Sequence, residues 1–327
     1  MNAYTYCLWG FLIAFIGCGV MTALLIPRLR AMKMGQRILE IGPVWHAKKE
    51  GTPTMGGISF LAAALLAALL LSPFWVGEVG EGVIYPFLIS LLFCVANGAI
   101  GIIDDMTKLR HHRNEGLTPT QKLVLQSTFA AAYLALLRLS GILTDELHLA
   151  FFGSLRLGFA TYFVFMVLIL GIVNCANLTD GIDGLASAVA AVMLAFYTLF
   201  SVHVGMPAPA MLAAISLGCA LAFLFFNRHP AKIFMGDTGS LFLGASAVAC
   251  AMLHGRHLLA IICGIVYVLE GVSVILQVVY YKATHKRLFL MAPIHHHFEK
   301  CGWSENKIVA VFSALTLLSC LLCWFLP

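Results

Sequence analysis

Five aspartates in this 327-residue chain stand where apolar runs end. They are Asp104-Asp105, then Asp180 and Asp183 within Asn-Leu-Thr-Asp-Gly-Ile-Asp-Gly (177–184), then Asp237 within Met-Gly-Asp-Thr-Gly-Ser (235–240). Charge is otherwise scarce: 11% of residues are Asp, Glu, Lys or Arg, and mean hydropathy is +0.94. Carboxylates are expensive beside hydrocarbon and are kept there for function. Their oxygens suit a hard cation such as Mg²⁺, and a bound cation offsets the charge of a phosphate-bearing substrate.

Each motif has a functional and a plain reading. In Asp104-Asp105-Met-Thr-Lys108, neighbouring side chains on a helix diverge by about 100°, so the two carboxylates do not address one target equally. Lys108 is within helical pairing reach of both; the plain reading is a capped salt-bridge cluster at a membrane interface. Asp180 and Asp183 are spaced for one helix face, and Gly181 and Gly184 permit close approach of backbone or ligand. Two acids with no base beside them await a cation or a sugar hydroxyl, unless one merely caps a helix starting near Leu185. Gly236-Asp237-Thr238-Gly239 at a helix start turns amide N–H groups toward a metal-bound phosphate, or places Asp237 or Thr238 as a cap. In Pro-Ile-His-His-His-Phe-Glu (293–299), His295, His296 and His297 lack zinc spacing but can hydrogen-bond diphosphate or peptide groups. Glu270 falls at membrane depth, either buried against a polar partner such as Gln277 or at a helix break.

The elements that must hold these residues are membrane helices. A span takes roughly 20 apolar residues, and ten candidates are predicted: 4–26, 54–72, 84–103, 119–138, 159–176, 185–204, 209–226, 240–254, 258–281 and 306–326. The segments 27–53, 104–122, 227–239 and 282–307 carry seventeen of the twenty Lys and Arg, leaving Arg138, Arg156 and Arg256 opposite. The positive-inside rule makes the first set cytoplasmic. All five aspartates and the three histidines then face the cytoplasm, and both termini are external. The first apolar run has its basic flank behind it, which reads as an uncleaved helix. A short external hairpin is expected within 141–158, around Phe151-Phe152-Gly153-Ser154. The reading is thus an all-α polytopic membrane protein, one domain over 1–327, with a cytoplasmic cleft. The ten cysteines lie mostly in apolar runs and make no zinc pattern. The net charge of +5 is ordinary positive-inside bias, favouring anionic lipids or nucleotides; no nucleic-acid partner is expected.

Taken together, these stretches resemble the phospho-N-acetylmuramoyl-pentapeptide transferases. The matching runs are Lys49 to Gly57 (Lys-Glu-Gly-Thr-Pro-Thr-Met-Gly-Gly), Asp104 to Lys108, Asn177 to Ala186, Phe226-Asn227 with Phe234 to Ser240, and Pro293 to Glu299. The aspartate motifs are shared across the polyprenyl-phosphate N-acetylhexosamine-1-phosphate transferases; the first and last runs are similar to the muramoyl-pentapeptide branch. The resemblance implies ten helices, external termini, a homodimer and a site on the cytoplasmic face of the bacterial inner membrane. It also implies transfer of phospho-N-acetylmuramoyl-pentapeptide from UDP to undecaprenyl phosphate, releasing UMP, with Mg²⁺ as cofactor. By the same resemblance Asp237 is the metal ligand, and Asp104 and Asp105 are catalytic acids on the metal or polyprenyl-phosphate side. Asn177, Asp180 and Asp183 hold the nucleotide, with Gly181, Ile182 and Phe234 near the uracil. Lys49, Lys108 and Lys122 offer charge to phosphates, Asn227 and Gly236 join the substrate site, and His295, His296 and His297 meet the sugar-phosphate or peptide. Two rivals remain: a sibling using UDP-N-acetylglucosamine, and an ion-coupled transporter. Transporters hold their acids near the midplane, where only Glu270 stands. A CDP-alcohol phosphotransferase resemblance requires an Arg beside the aspartates, and none lies between Arg156 and Arg228.

Overall fold

Hydrophobic runs of this length cannot leave backbone polar groups unpaired in lipid, so they close on themselves as helices. The computed structural model describes residues 3–32, 49–78, 80–111, 116–149 and 153–325. The basic residues Lys33, Arg37, Lys48 and Arg113, and the expected hairpin tip Phe151-Phe152, lie outside them.

Among the described residues, ten helices are long and apolar enough to cross a membrane. In chain order the helices are α1 (Ala3–Ala31), α2 (Ile58–Glu78), α3 (Glu81–His111), α4 (Pro119–Leu139), α5 (Ala160–Thr179) and α6 (Leu185–His203). They continue with α7 (Pro207–Asn227), α8 (Gly236–Leu253), α9 (Leu259–Cys263), α10 (Ile265–Thr284), α11 (Ile294–Lys300) and α12 (Glu305–Trp324). The ninth predicted span is divided: α9 stops at Gly264 and α10 is the crossing helix. Between α4 and α5, β1 (Glu146–Leu149) and β2 (Gly153–Arg156) pair antiparallel, as the hairpin reading expected.

The helices are graded from the inside out. The apolar window of α8 is 89% buried and those of α6 and α7 are 72% buried, against 22% for α1 and 28% for α10. Small residues explain the centre: α8 reads Gly-Ala-Ser-Ala-Val-Ala-Cys-Ala through 244–251, letting neighbouring backbones close on it. A Cβ on Gly57 would collide with the backbone of Gly239, and one on Gly101 with the backbone of Thr238. The chain before α2 also pairs with the chain before α8. Phe234 N donates to Pro53 O at 2.8 Å, Gly56 N to Phe234 O at 2.9 Å and Gly57 N to Met235 O at 2.9 Å. The most enclosed helix therefore begins where loops and helix ends are locked backbone to backbone.

Candidate active site

Asp237, in the first turn of α8, is the hub. Its Oδ2 accepts from Lys122 Nζ at 2.8 Å and Lys108 Nζ at 3.1 Å, and its Oδ1 from Asn177 Nδ2 at 2.9 Å. Asn177 Nδ2 also reaches Ser240 Oγ at 2.8 Å, and its Oδ1 accepts from Lys122 at 3.2 Å. Helices α3, α4, α5 and α8 thus meet at one carboxylate.

The adjacent pair divides as its helical phase requires. Asp105 is buried and accepts from the Asp237 amide at 3.1 Å, the Thr238 amide at 3.0 Å and Thr238 Oγ1 at 2.7 Å. It therefore caps α8 from another helix. This alters two sequence expectations. The cap of α8 is neither Asp237 nor Thr238, and the two amides that the Gly-Asp-Thr-Gly pattern offered to a phosphate are already taken. Asp104 points elsewhere, accepting from Leu117 N at 2.8 Å and pairing with Lys108 at 2.6 Å. Asp104, Asp105 and Asp237 each present an oxygen within 4.8 Å of the others. That all-carboxylate donor set, without thiol or imidazole, fits a hard divalent cation.

The 177–184 segment does not continue as a helix. Helix α5 ends at Thr179 and α6 starts at Leu185, with Gly184 left-handed at φ 80°. Asp180 and Asp183 consequently part instead of sharing a face. No hydrogen bond reaches the Asp180 carboxyl among the described residues. Burial, then the charges of Asp237, Asp105 and Asp183, hold it well above the usual carboxylate range. Asp183 turns away into a second cluster, accepting from Lys49 Nζ at 2.7 Å, His229 Nδ1 at 3.0 Å and Ala231 N at 3.0 Å. Glu305, opening α12, closes this cluster: its Oε2 accepts from Lys49 Nζ at 2.7 Å and from the Asp183 amide at 2.9 Å. Asp183, His229 and Glu305 have metal-ligand spacing, but the Lys49 ammonium bridges both acids.

Asn227 is buried and acts as a clamp. Its Oδ1 accepts from Gly184 N at 3.2 Å and Ser187 Oγ at 3.1 Å, while its Nδ2 donates to Ile233 O at 3.0 Å. Phe234 is half-buried beside it and Ile182 is buried. Gly236 begins α8 at φ 68°, facing the Asp105 carboxylate.

The three histidines diverge on the short helix α11. His295 is fully buried and paired with the equally buried Glu270, Nδ1 to Oε2 at 3.0 Å. This answers the question left by Glu270: its partner is His295, whereas Gln277 accepts from Phe289 N at 2.8 Å. The Nε2 edge of the His295 ring fills the space a Gly181 side chain would need. His296 Nδ1 meets Glu299 Oε2 at 2.5 Å, and His297 Nδ1 accepts from Leu290 N at 3.2 Å.

His229 and Glu305 were not singled out by sequence, and Thr238 and Ser240 were read only as a possible cap and as the end of a matching run. An acid in the first turn of a helix ordinarily complements the helix dipole, so Glu305 carried no distinguishing signal. His229 is a lone histidine in a basic loop.

Known families coincide with these two clusters. Residues 87–255, which hold all five aspartates, match the family model described as glycosyl transferase family 4. Residues 49–61, which hold Lys49 and the loop bonded to α8, match signature 1 of the phospho-N-acetylmuramoyl-pentapeptide-transferases. The chain is 42% identical to the phospho-N-acetylmuramoyl-pentapeptide-transferase of Geobacillus kaustophilus, over 95% of this chain and 94% of that one. It is 40% identical to the protein of that name from Clostridium perfringens strain SM101, over 94% and 93% of the two chains. For the Clostridioides difficile protein the identity is 39%, over 94% and 93%. Lys49, the aspartates and the helices that bring them together thus all lie within these alignable lengths, and the chain belongs to the phospho-N-acetylmuramoyl-pentapeptide-transferase family.

Proposed function

We propose that this protein transfers phospho-N-acetylmuramoyl-pentapeptide from its UDP-linked form to undecaprenyl phosphate, releasing UMP and forming the first lipid-linked intermediate of peptidoglycan synthesis. The observation that carries the reading is the convergence of Asp104, Asp105 and Asp237 with Lys108 and Lys122. A diphosphate with its cation needs both kinds of charge in one place.

Mg²⁺ is the proposed cofactor, held by Asp237 with Asp104 beside it, and when bound it offsets charge on the diphosphate and on departing UMP. Asp105 keeps the first turn of α8 in place through its hydrogen bonds to the Asp237 amide and to the Thr238 amide and hydroxyl. Lys108 and Lys122 exchange their ion pairs with Asp237 for phosphate oxygens as substrate enters. An oxygen of undecaprenyl phosphate forms a bond to the sugar-linked phosphorus. The bond from that phosphorus to the UMP oxygen breaks, and UMP leaves with the electron pair. A phosphate monoester has its second pKa near about 6, so the acceptor is largely dianionic at neutral pH and Asp104 need remove little. Direct attack therefore suffices, without an aspartyl-phosphate. Asp183 and Lys49, with Gly181, Ile182 and Phe234, line the nucleotide end. His296 and His297 face the sugar-peptide end, while His295 supports the nucleotide loop from behind.

Ten crossings and the basic asymmetry support a multi-pass membrane protein with external termini and a cytoplasmic site; the bacterial inner membrane and a homodimer are proposed from the family resemblance. In a cysteine-free background, a cysteine at Glu81 is expected to react with an impermeant thiol reagent from outside and one at Lys286 is not; the reverse pattern overturns the orientation. The activity is tested by UMP release in detergent with added polyprenyl phosphate, with and without Mg²⁺. UMP from UDP-N-acetylglucosamine in place of UDP-N-acetylmuramoyl-pentapeptide would reassign the enzyme to the sibling activity.

A further inference from the structure

A cavity of about 370 Å³ lies apart from both acid clusters, lined by Gln277, Tyr281, Lys282, Arg287, Met291 and Lys300 among others. Three of its lining residues are cations and none is an acid. Its volume is that of a small-molecule pocket.

The position of this cavity identifies the kind of anion. Helix α10 leads to it with an outward stripe of Val272, Ile275 and Val279, which are 41%, 63% and 61% exposed. Such a stripe on a membrane helix faces acyl chains. It ends at Tyr280 and Tyr281, aromatic residues of the type that settles at headgroup level, and immediately beyond come Lys282, Lys286 and Arg287. A basic pocket at the end of a lipid-facing stripe, on the side richest in Lys and Arg, has the features of a site for a lipid phosphate.

The phosphate held there is not the one that reacts. None of the lining residues belongs to the group around Asp237. The cavity's cations, Lys282, Arg287 and Lys300, are also distinct from Lys108 and Lys122, which pair with Asp237.

The cavity also touches a folded-back loop. Gln277 accepts from Phe289 N at 2.8 Å, Arg287 Nη1 donates to Leu290 O at 3.3 Å, and Leu290 N donates to His297. We propose that the pocket binds the headgroup of a non-substrate anionic phospholipid from the leaflet on the basic side, and that this lipid braces the 285–293 loop against α10.

The test uses the full-length protein and native mass spectrometry, with phosphatidylglycerol and phosphatidylcholine as probes. The wild type is expected to retain one phosphatidylglycerol per chain and to release phosphatidylcholine. The double variant Lys282→Gln/Arg287→Gln should lose phosphatidylglycerol affinity at least about tenfold, about 1.4 kcal/mol. Lys300→Gln, a second variant of the lining, should weaken it in the same direction. Lys286→Gln, on the same loop but outside the lining, should not. Equal retention of phosphatidylglycerol by wild type and both lining variants overturns the proposal, as does equal retention of the two lipids. So does displacement by inorganic phosphate, which marks a soluble-anion site. If polyprenyl phosphate displaces the phospholipid one for one and the double variant raises acceptor KM tenfold, the pocket belongs to the acceptor and the proposal fails.

Discussion

Glu305 and Asp183, 122 residues apart, are joined through a single carboxylate oxygen: Glu305 Oε2 accepts the Asp183 amide at 2.9 Å while also holding Lys49 at 2.7 Å. The last helix thereby fixes a loop from the middle of the chain and a lysine from near its beginning. Replacing Glu305 by Gln keeps an amide acceptor but removes the charge facing Lys49. Because this cluster lies at the proposed nucleotide end, KM for the UDP-linked donor should rise about tenfold, about 1.4 kcal/mol, with kcat within about twofold. Steady-state kinetics decide it. A fall in kcat at unchanged KM would place Glu305 in the transfer step instead.

Asp237→Asn is expected to keep the fold: its single amide oxygen can still accept from Lys122 and Lys108, and its NH2 can donate to an Asn177 side chain flipped to present its oxygen. It should abolish nearly all turnover, since an amide is a poor ligand for a hard cation. Retention of more than about a tenth of the wild-type rate, a loss under 1.4 kcal/mol, rules out Asp237 as the essential ligand.

Gly181→Ala tests the buried edge of His295. The new methyl meets the imidazole directly, and the ring cannot retreat without breaking its 3.0 Å contact with Glu270. The 180–184 loop, the proposed nucleotide site, must shift, so UMP affinity measured by calorimetry should fall at least about tenfold, a change of about 1.4 kcal/mol. His296→Ala, on the half-buried side of α11, should leave UMP affinity within about twofold while slowing turnover of the full donor. Equal losses in the two variants would mean that the nucleotide and peptide ends are one inseparable site.

Acid stability should be governed at the opposite end of the bundle. Between α8 and α9, burial and then the Arg256 charge push His254 down to about 4, and burial and then His148 push His257 down to about 4. His254 also keeps a 2.8 Å hydrogen bond to Ser201. The unfolded chain takes up protons near about pH 6.5, before the folded one does, so stability rises with pH between the two values. Both contributions are complete above about 6.5 and lost as pH falls toward about 4, on the order of 3 kcal/mol per histidine. Thermal unfolding in detergent from pH 7.5 to 4 should show this decline. The variants His254→Gln and His257→Phe should each flatten it; an unchanged slope in both would remove the histidines as its cause.

The spans were legible because membrane burial writes itself in hydropathy: Gly264 divided one predicted helix, and the other boundaries moved only by residues at the ends. The acids of the hub were legible for the related reason that charge is conspicuous in so apolar a chain. Their division of labour was not. Whether Asp104 or Asp105 meets α8 depends on the rotational phase of α3, which packing sets. The separation of Asp180 from Asp183 turned on α5 stopping at Thr179, before either acid. His295, His296 and His297 read as one polar row, yet a helix of about two turns sends them to different neighbours. Glu305 was hidden by an ordinary local explanation, and only the folded chain brings it to Lys49.

The glycines at 57 and 101 leave the first turn of α8 resting on bare main chain, with no side chain interposed. Side chains act as springs: a rotamer change can absorb a few tenths of an ångström. Main chain held by hydrogen bonds on both sides behaves as a hard stop. The Asp237 carboxylate is thus positioned by main chain of two other segments, the 53–57 chain and α3. A reaction that must align two phosphates from different solvents, one arriving from water and one from lipid, gains a fixed datum from this arrangement. In the proposed mechanism the compliance needed to admit them falls to Lys108 and Lys122, whose long stems can swing while the carboxylate stays still.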